Sequence, residues 1–421
     1  GPPGRGCEGS CAASGRSADA PPLVRAPGIV TGPEVLSAPV LRDIEARAGC
    51  PATRENAVRV LSDGVDSFGA MLDLVRSARS SVRFENFIFR ADAVGRTFAG
   101  ELRRRAEAGV TTRVLHDPVG ALMARRAPVD LLFRRSAAEV RMFNLGVPTP
   151  RARALGRDHR KLVVGDARRM VAGGLCLADP WAGNCVRHCT WRDSAVLVEG
   201  PAAVDGARAF DRAWGHGTRW VTPLPHGASR RGPEPEPVAE GDVPVRIITD
   251  AGPTRHTLPV LERVMDAAED EVLITNPYFI PPDPLMQAIL RAMARGVRVS
   301  LLMPGRNNHP VAALAAEARL RPLLQSGMSV FRWKGSMIHA KSVVVDRVWT
   351  LIGSSNLDTL SLRRNAELNV EVHGSTVGGI VVDLFRRDCT NSDRFDLDDW
   401  HARRPLRRMA GRVAALASPW L

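Results

Sequence analysis

Lysine is nearly missing from this chain of 421 residues: Lys161, Lys334 and Lys341 stand against 55 arginines. Tyrosine is rarer still, with Tyr278 alone, and aromatic residues make up only 5% of the chain. No apolar run approaches the roughly 18–20 residues that span a bilayer, and no signal-peptide pattern opens the sequence. The sequence as given reads as soluble or peripheral to a membrane. Seven cysteines, an odd number without framework spacing, argue against a disulfide scaffold. Cys185, His188 and Cys189 offer one Cys-x3-Cys and no second ligand pair, too little for a zinc site. No metal and no other cofactor is therefore expected. Cys7 and Cys11 fall in a Gly/Pro/Ser/Ala-rich leader of disordered composition.

Two of the three lysines survive in one pattern. His159-Arg160-Lys161-Leu162-Val163-Val164-Gly165-Asp166 and His339-Ala340-Lys341-Ser342-Val343-Val344-Val345-Asp346 both read H-x-K-x4-D. About 0.005 such matches are expected by chance in a chain of this composition. A sequence that writes arginine almost everywhere has kept lysine where a compact, rotatable ammonium differs most from a planar guanidinium. The formal charge of +13 adds an anionic partner, nucleic acid or an anionic lipid surface, without choosing between them.

The chain also repeats itself loosely. Val82 to Phe89 and Val272 to Phe279 are short apolar runs of the kind that form buried strands. Each is followed by a helical stretch, a glycine and a new strand: Glu101 to Ala108, Gly109 and Val110 to Leu115, then Leu285 to Arg295, Gly296 and Val297 to Leu302. Each half then reaches its H-x-K segment and a glycine turn, Gly173-Gly174 or Gly353-Ser354. Thr222 to Pro244 has the proline-rich composition of a linker. The expected organisation is a leader over 1–56, a first half over 57–221, a linker over 222–243, a second half over 244–398 and a basic tail over 399–421. Strand–helix–strand alternation makes the fold class α/β: two similar mixed-sheet halves flanked by helices, with the active site at their junction.

On a strand, the His and Lys of H-x-K point to the same face. Two such strands side by side surround one cavity with two imidazoles and two ammonium groups. The lysines suit the non-bridging oxygens of a phosphodiester. One neutral histidine can attack phosphorus while the other, protonated, supplies the leaving alkoxide with a proton, and imidazole titrates in the right range for such a division. Asp166 and Asp346 lie an odd number of residues from their lysines, which points them to the other face and toward an anchoring role.

These residues resemble the phospholipase D superfamily, whose signature the second copy matches in full: His339, Lys341, Asp346 and Gly353-Ser354-Ser355-Asn356. Within it the chain is most similar to bacterial cardiolipin synthases, on Phe87 to Arg90, Asp158 to Asp166 with Gly173-Gly174, Trp191-Arg192-Asp193, Asn276 to Pro281 and Asn365 to Asn369. The likeness runs from about Asn56 to the C-terminus. It implies that His159 forms a phosphohistidine and that His339 is the general acid and base. It further implies that Asp193 and Glu367 orient the imidazoles, with Ser354 and Asn356 on the substrate side. The implied reaction is phosphatidyl transfer between phosphatidylglycerol molecules by a monomer, peripheral at the cell membrane or cytoplasmic. Hydrolysis by a phospholipase D and cleavage of nucleic acid are the alternatives; the leading reading has no nucleic-acid partner. Three departures stand out. Cys176 replaces the first-half asparagine, Arg306-Asn307-Asn308-His309 is unusual after Pro304-Gly305, and the family's N-terminal transmembrane pair is absent from the given sequence.

The tail carries Arg403, Arg404, Arg407, Arg408 and Arg412, with Leu406, Met409, Val413 and Leu416 at helical spacing and Trp420 near the end. Such a helix either lies on a membrane surface or packs its apolar stripe on the sheet.

Overall fold

A computed structural model describes residues 21–28, 36–123, 129–143, 156–183, 190–219 and 238–416. Cys7, Cys11, Cys185, His188, Cys189, Trp420 and most of the 222–243 linker lie outside them.

The fold is mixed α/β, built on one sheet of sixteen strands flanked by helices. Its centre is the antiparallel pair Thr53–Leu61 and Val243–Asp250. From that seam each half lays down its strands in the same spatial order. The first half runs Ala195–Glu199, Arg169–Gly173, Lys161–Gly165, Ser81–Asn86, Thr111–His116, Glu139–Phe143 and Gly217–Arg219; the second runs Glu367–His373, Trp349–Gly353, Ser342–Val345, Glu271–Thr275, Arg298–Pro304, Ser329–Trp333 and Ser392–Phe395. The pairings match too, with Ser81–Asn86 parallel to Thr111–His116 as Glu271–Thr275 is to Arg298–Pro304. Parallel strands need crossovers, supplied by the helices Ala93–Glu107 and Asp283–Ala294. Both crossover helices end at a glycine of positive φ, Gly109 and Gly296.

Boundaries differ from the sequence expectation where tertiary contacts intervene. The first strand starts at Thr53, inside the stretch read as leader, because it pairs across the seam with Val245. The helix Ala38–Ala48, also in that stretch, buries Val40, Ile44 and Ala48 among second-half residues such as Val260, Val264 and Met265. The run 82–89 leaves the sheet after Asn86, and 272–279 leaves it after Thr275. One apolar cluster draws on both halves, Val58, Leu162 and Val198 with Val245, Val344 and Val370, so the halves share a core across the seam. Burial of such side chains holds in place the two strands that follow the H-x-K segments, Lys161–Gly165 and Ser342–Val345.

Asp166 and Asp346 sit in the hairpin turns that follow those strands. Both have positive φ, 54° and 49°, as do their successors Ala167 and Arg347. Aspartate tolerates this region better than most residues. The Asp166 carboxylate accepts from the amides of Arg79, Ser80 and Ser81 at 2.7–2.8 Å, and Asp346 accepts from Glu269, Asp270 and Glu271 at 2.8–2.9 Å. Grouped with the catalytic residues by their motif, the two aspartates are instead placed at the far ends of the strands, tying each hairpin to the start of a neighbouring strand. Asp346→Ala is expected to lower stability by about 2 kcal/mol, from loss of three amide acceptor contacts, the buried one to Glu271 above all, and of the αL-tolerant residue. Urea unfolding would show this, while kcat of the folded fraction stays near normal.

Candidate active site

The site forms where the chain segments just before each histidine cross to the other half. The amide of His159 donates to the Ala366 carbonyl at 2.9 Å, and the amide of His339 to the Arg192 carbonyl at 2.6 Å. Around these bonds, Asp158 bridges Ala366, and Met337–Ile338 pairs in parallel with Trp191–Arg192. The first approach is close enough that a Cβ on Gly156, itself at φ +66°, would fall 1.8 Å from the Arg364 carbonyl. Each histidine is thereby held beside the carboxylate that follows the crossed segment.

The carboxylates pair across the halves. His159 Nδ1 lies 3.0 and 3.1 Å from the two oxygens of Glu367, and His339 Nδ1 lies 2.7 Å from Asp193 Oδ2. Ser354 Oγ donates to Glu367 Oε2, and its hydroxyl accepts the Leu368 amide. The matching first-half position is Gly174, where any side chain would strike Asp193, 2.2 Å from an added Cβ. Asp193 is instead steadied by Trp181 Nε1 at 3.0 Å and its neighbour's amide at 2.8 Å. Carboxylate acceptors at Nδ1 fix the tautomer that leaves the lone pair on Nε2.

The lysines lie beneath. Lys161 and Lys341 are 1% and 3% exposed, against 9% and 5% for the histidines, and each ammonium donates to the carbonyl of its own histidine. Lys341 Nζ also stands 2.8 Å from His339 Nδ1 and 3.0 Å from its Nε2. Among the described residues no such contact engages Nε2 of His159. Phe87 packs edge-on to His159 at 5.0 Å, and Trp181, Trp191 and Tyr278 ring His339 at 5.5, 5.5 and 6.2 Å. Asn356 is buried with its Oδ1 unpartnered among the described residues, and its first-half counterpart Cys176 is a buried thiol.

Electrostatics follow from this enclosure. Burial, then Lys341, pushes His339 down to about 3; burial also lowers His159, against the opposing pull of Glu367. Desolvation and the lysines thus favour the neutral form of both rings. Burial alone would raise Asp193 and Glu367, but Lys341 and His339 hold the first below its ordinary range, and His159 and Lys161 the second. Burial, assisted by Lys161, brings Lys341 down to about 8. The arrangement offers two poised imidazoles and a buried cationic floor for a tetrahedral anion.

The structure thus gathers His159, Lys161, His339, Lys341, Asp193, Glu367, Ser354 and Asn356, and leaves out Asp166 and Asp346. Trp181 escaped the sequence reading, and Phe87 entered it only within the segment Phe87 to Arg90, not as a site residue. Neither stands at a fixed spacing from an H-x-K segment, and a lone aromatic is more often core. Among the described residues no group of three or more His, Cys, Asp or Glu is arranged to hold a metal ion.

Comparisons with known proteins agree with this architecture. The family model described as "Cardiolipin synthase, PLD-like domain" matches residues 261–389. Cardiolipin synthase A of Pseudomonas syringae pv. syringae is 32% identical over 90% of this chain and 78% of its own length. The major cardiolipin synthase of Bacillus subtilis is 28% identical over 88% of this chain and 76% of its own. Among solved structures, phosphatidylserine synthase of Haemophilus influenzae aligns with a TM-score of 0.70 at 16% identity, over 91% of this chain and 100% of that one. The two-half fold and its paired H-x-K segments define an enzyme of the phospholipase D superfamily. The chain belongs to the cardiolipin synthase family of phosphatidyltransferases within it.

Proposed function

We propose that this enzyme transfers a phosphatidyl group from one phosphatidylglycerol to another through a phosphohistidine on His159. The observation that carries the reading is the crossed pairing of each catalytic imidazole with the other half's carboxylate, over two buried lysines. His159 Nε2, free of the lysine contact that occupies His339, attacks the donor phosphorus. The phosphorus–oxygen bond to the head-group glycerol breaks, and His339 protonates the departing alkoxide. On binding, the diester's negative charge offsets the lysines and raises His339, so that its Nε2 takes up from solvent the proton that it passes to the alkoxide. His339 then removes a proton from a head-group hydroxyl of a second phosphatidylglycerol, whose oxygen attacks the phosphohistidine. Cardiolipin and glycerol result, and both imidazoles return to their starting state.

The test is incubation of purified protein with labelled phosphatidylglycerol and, separately, single-stranded DNA, each with EDTA present. Cardiolipin plus glycerol is the expected product. Phosphatidic acid alone would make the enzyme a hydrolase, and cut DNA a nuclease.

The lysine floor gives a pH dependence. A lysine is charged below its pKa, so a value lowered to about 8 means that positive charge on Lys341 is lost as pH rises through that point. The kcat/KM for a soluble phosphodiester, which reports the free enzyme, should fall above about pH 8. A profile flat to about pH 10, the ordinary lysine range, would remove Lys341 from phosphate binding.

A further inference from the structure

The C-terminal helix Pro405–Leu416 lies on the helix Pro310–Gln325 with its small residues inward. Gly411 and Ala414 are buried, and a Cβ on Gly411 would come within 2.9 Å of the Leu314 carbonyl. Arg407 reaches Glu317 at 2.9 Å, and the buried Trp400 donates to the Glu317 carbonyl at 3.0 Å. With about 100° between successive residues, Leu406, Met409 and Val413 fall on the opposite side. They are 73%, 59% and 63% exposed, an apolar stripe turned away from the body of the protein. The side chain of Leu416 lies outside the described residues.

The surroundings of this stripe are basic. From Ala402 to Leu416 the sequence has five arginines and no acid. Arg404 and Arg412 are exposed, and Arg408 lies over the Trp400 ring at 5.6 Å. A cavity of about 400 Å3 beside the helix is lined by Arg306, Arg332 and Arg407 with Glu317 as its one acid. Contacts of 407 with 317 and of 411 with 314 make the two helices antiparallel. The C-terminal helix therefore runs toward the end of its partner that begins at Pro310. Immediately before that end, His309 stands 5.6 Å from Tyr278, whose ring is 6.2 Å from His339.

We propose that the face of Pro405–Leu416 bearing Leu406, Met409 and Val413 docks into the surface of an anionic phospholipid bilayer. Three exposed apolar side chains backed by arginines have the pattern that buries at the headgroup–acyl boundary while the guanidinium groups meet lipid phosphates. A second copy of the chain fits less well, because a symmetric contact would bring the arginines of both helices together. The proposal stands apart from the transfer chemistry, since it concerns attachment and not turnover.

The test compares full-length protein with a Leu406→Ser, Met409→Ser, Val413→Ser triple variant in sedimentation with phosphatidylglycerol or phosphatidylcholine vesicles. The wild type should bind phosphatidylglycerol vesicles, weaken with added salt, and bind phosphatidylcholine poorly. The variant should bind at least about tenfold more weakly, having lost three apolar insertions, with turnover of a soluble phosphodiester unchanged. Hydrogen exchange on the unaltered protein gives a reading independent of the variant's folding: residues 405–416 should slow when phosphatidylglycerol vesicles are added. Equal vesicle binding by the variant, or no slowing across 405–416, overturns the proposal. A wild-type dimer that the triple variant converts to monomer, with vesicle binding retained, overturns it in favour of a contact between copies.

Discussion

His159→Ala should leave no measurable transfer, and His339→Asn should leave an enzyme that an activated diester can load but that fails to pass the group on. The two outcomes differ because the geometry gives the rings different surroundings. His159 keeps Nε2 clear, with Glu367 on its Nδ1, whereas Lys341 stands against Nε2 of His339. On the proposed mechanism, no covalent intermediate should form without His159. Without His339 the proton relay is gone from both steps, a loss of typically ~10²–10⁴ in rate. Loading should survive with an activated diester whose leaving group needs no proton, whereas transfer of the phosphatidyl group to a lipid alcohol, which needs a base, should stall. Labelled donor and denaturing electrophoresis would reveal the trapped phosphate, and peptide mapping would place it. Phosphate found on His339 in the His159→Ala protein would reverse the assignment.

The second large effect is expected from a substitution that conserves charge. Lys161→Arg and Lys341→Arg replace an ammonium that is almost wholly buried and bonded to its own histidine's carbonyl. A guanidinium is wider, planar and bound to present its donors in a fork. At 341 it would also collide with the ring nitrogens of His339, which now lie within 3.0 Å of the ammonium. Each variant should lose about 10²–10³ in kcat, the scale of removing one preorganised donor to a developing oxyanion. Circular dichroism melting should show the fold retained. Near-normal turnover in both would mean that the survival of lysine at these two places has no chemical meaning.

Much of this was written locally in the chain. The H-x-K-x4-D repeat marked the two segments, but the expected strand starts only at Lys161 and at Ser342, so His159, His339 and Lys341 stand in the extended approach to the strands. Repetition of strand, helix, glycine and strand announced two like halves. Its helix ends were legible because Gly109 and Gly296 adopt a backbone conformation that other residues resist. The odd spacing of Asp166 and Asp346 already turned them from the lysine face, and the hairpin turns explain where they point.

Only the tertiary structure decided which carboxylate serves which histidine. Asp193 and Glu367 occupy matching places in their own halves, yet each serves the other half, because the seam crosses the segments that precede them. Nothing within either half encodes that crossing; it comes from the antiparallel pairing of Thr53–Leu61 with Val243–Asp250 and the apolar core shared around it. The same holds for the low affinity of His339 for a proton, which depends on burial and on the nearby ammonium. It holds as well for the tail, whose apolar spacing fitted either packing or a membrane surface. The fold gave the inner face to Gly411 and Ala414, where close helix approach needs small side chains, and left Leu406, Met409 and Val413 outside. Sequence determined the chemistry each strand could carry; the meeting of the halves determined how those groups combine.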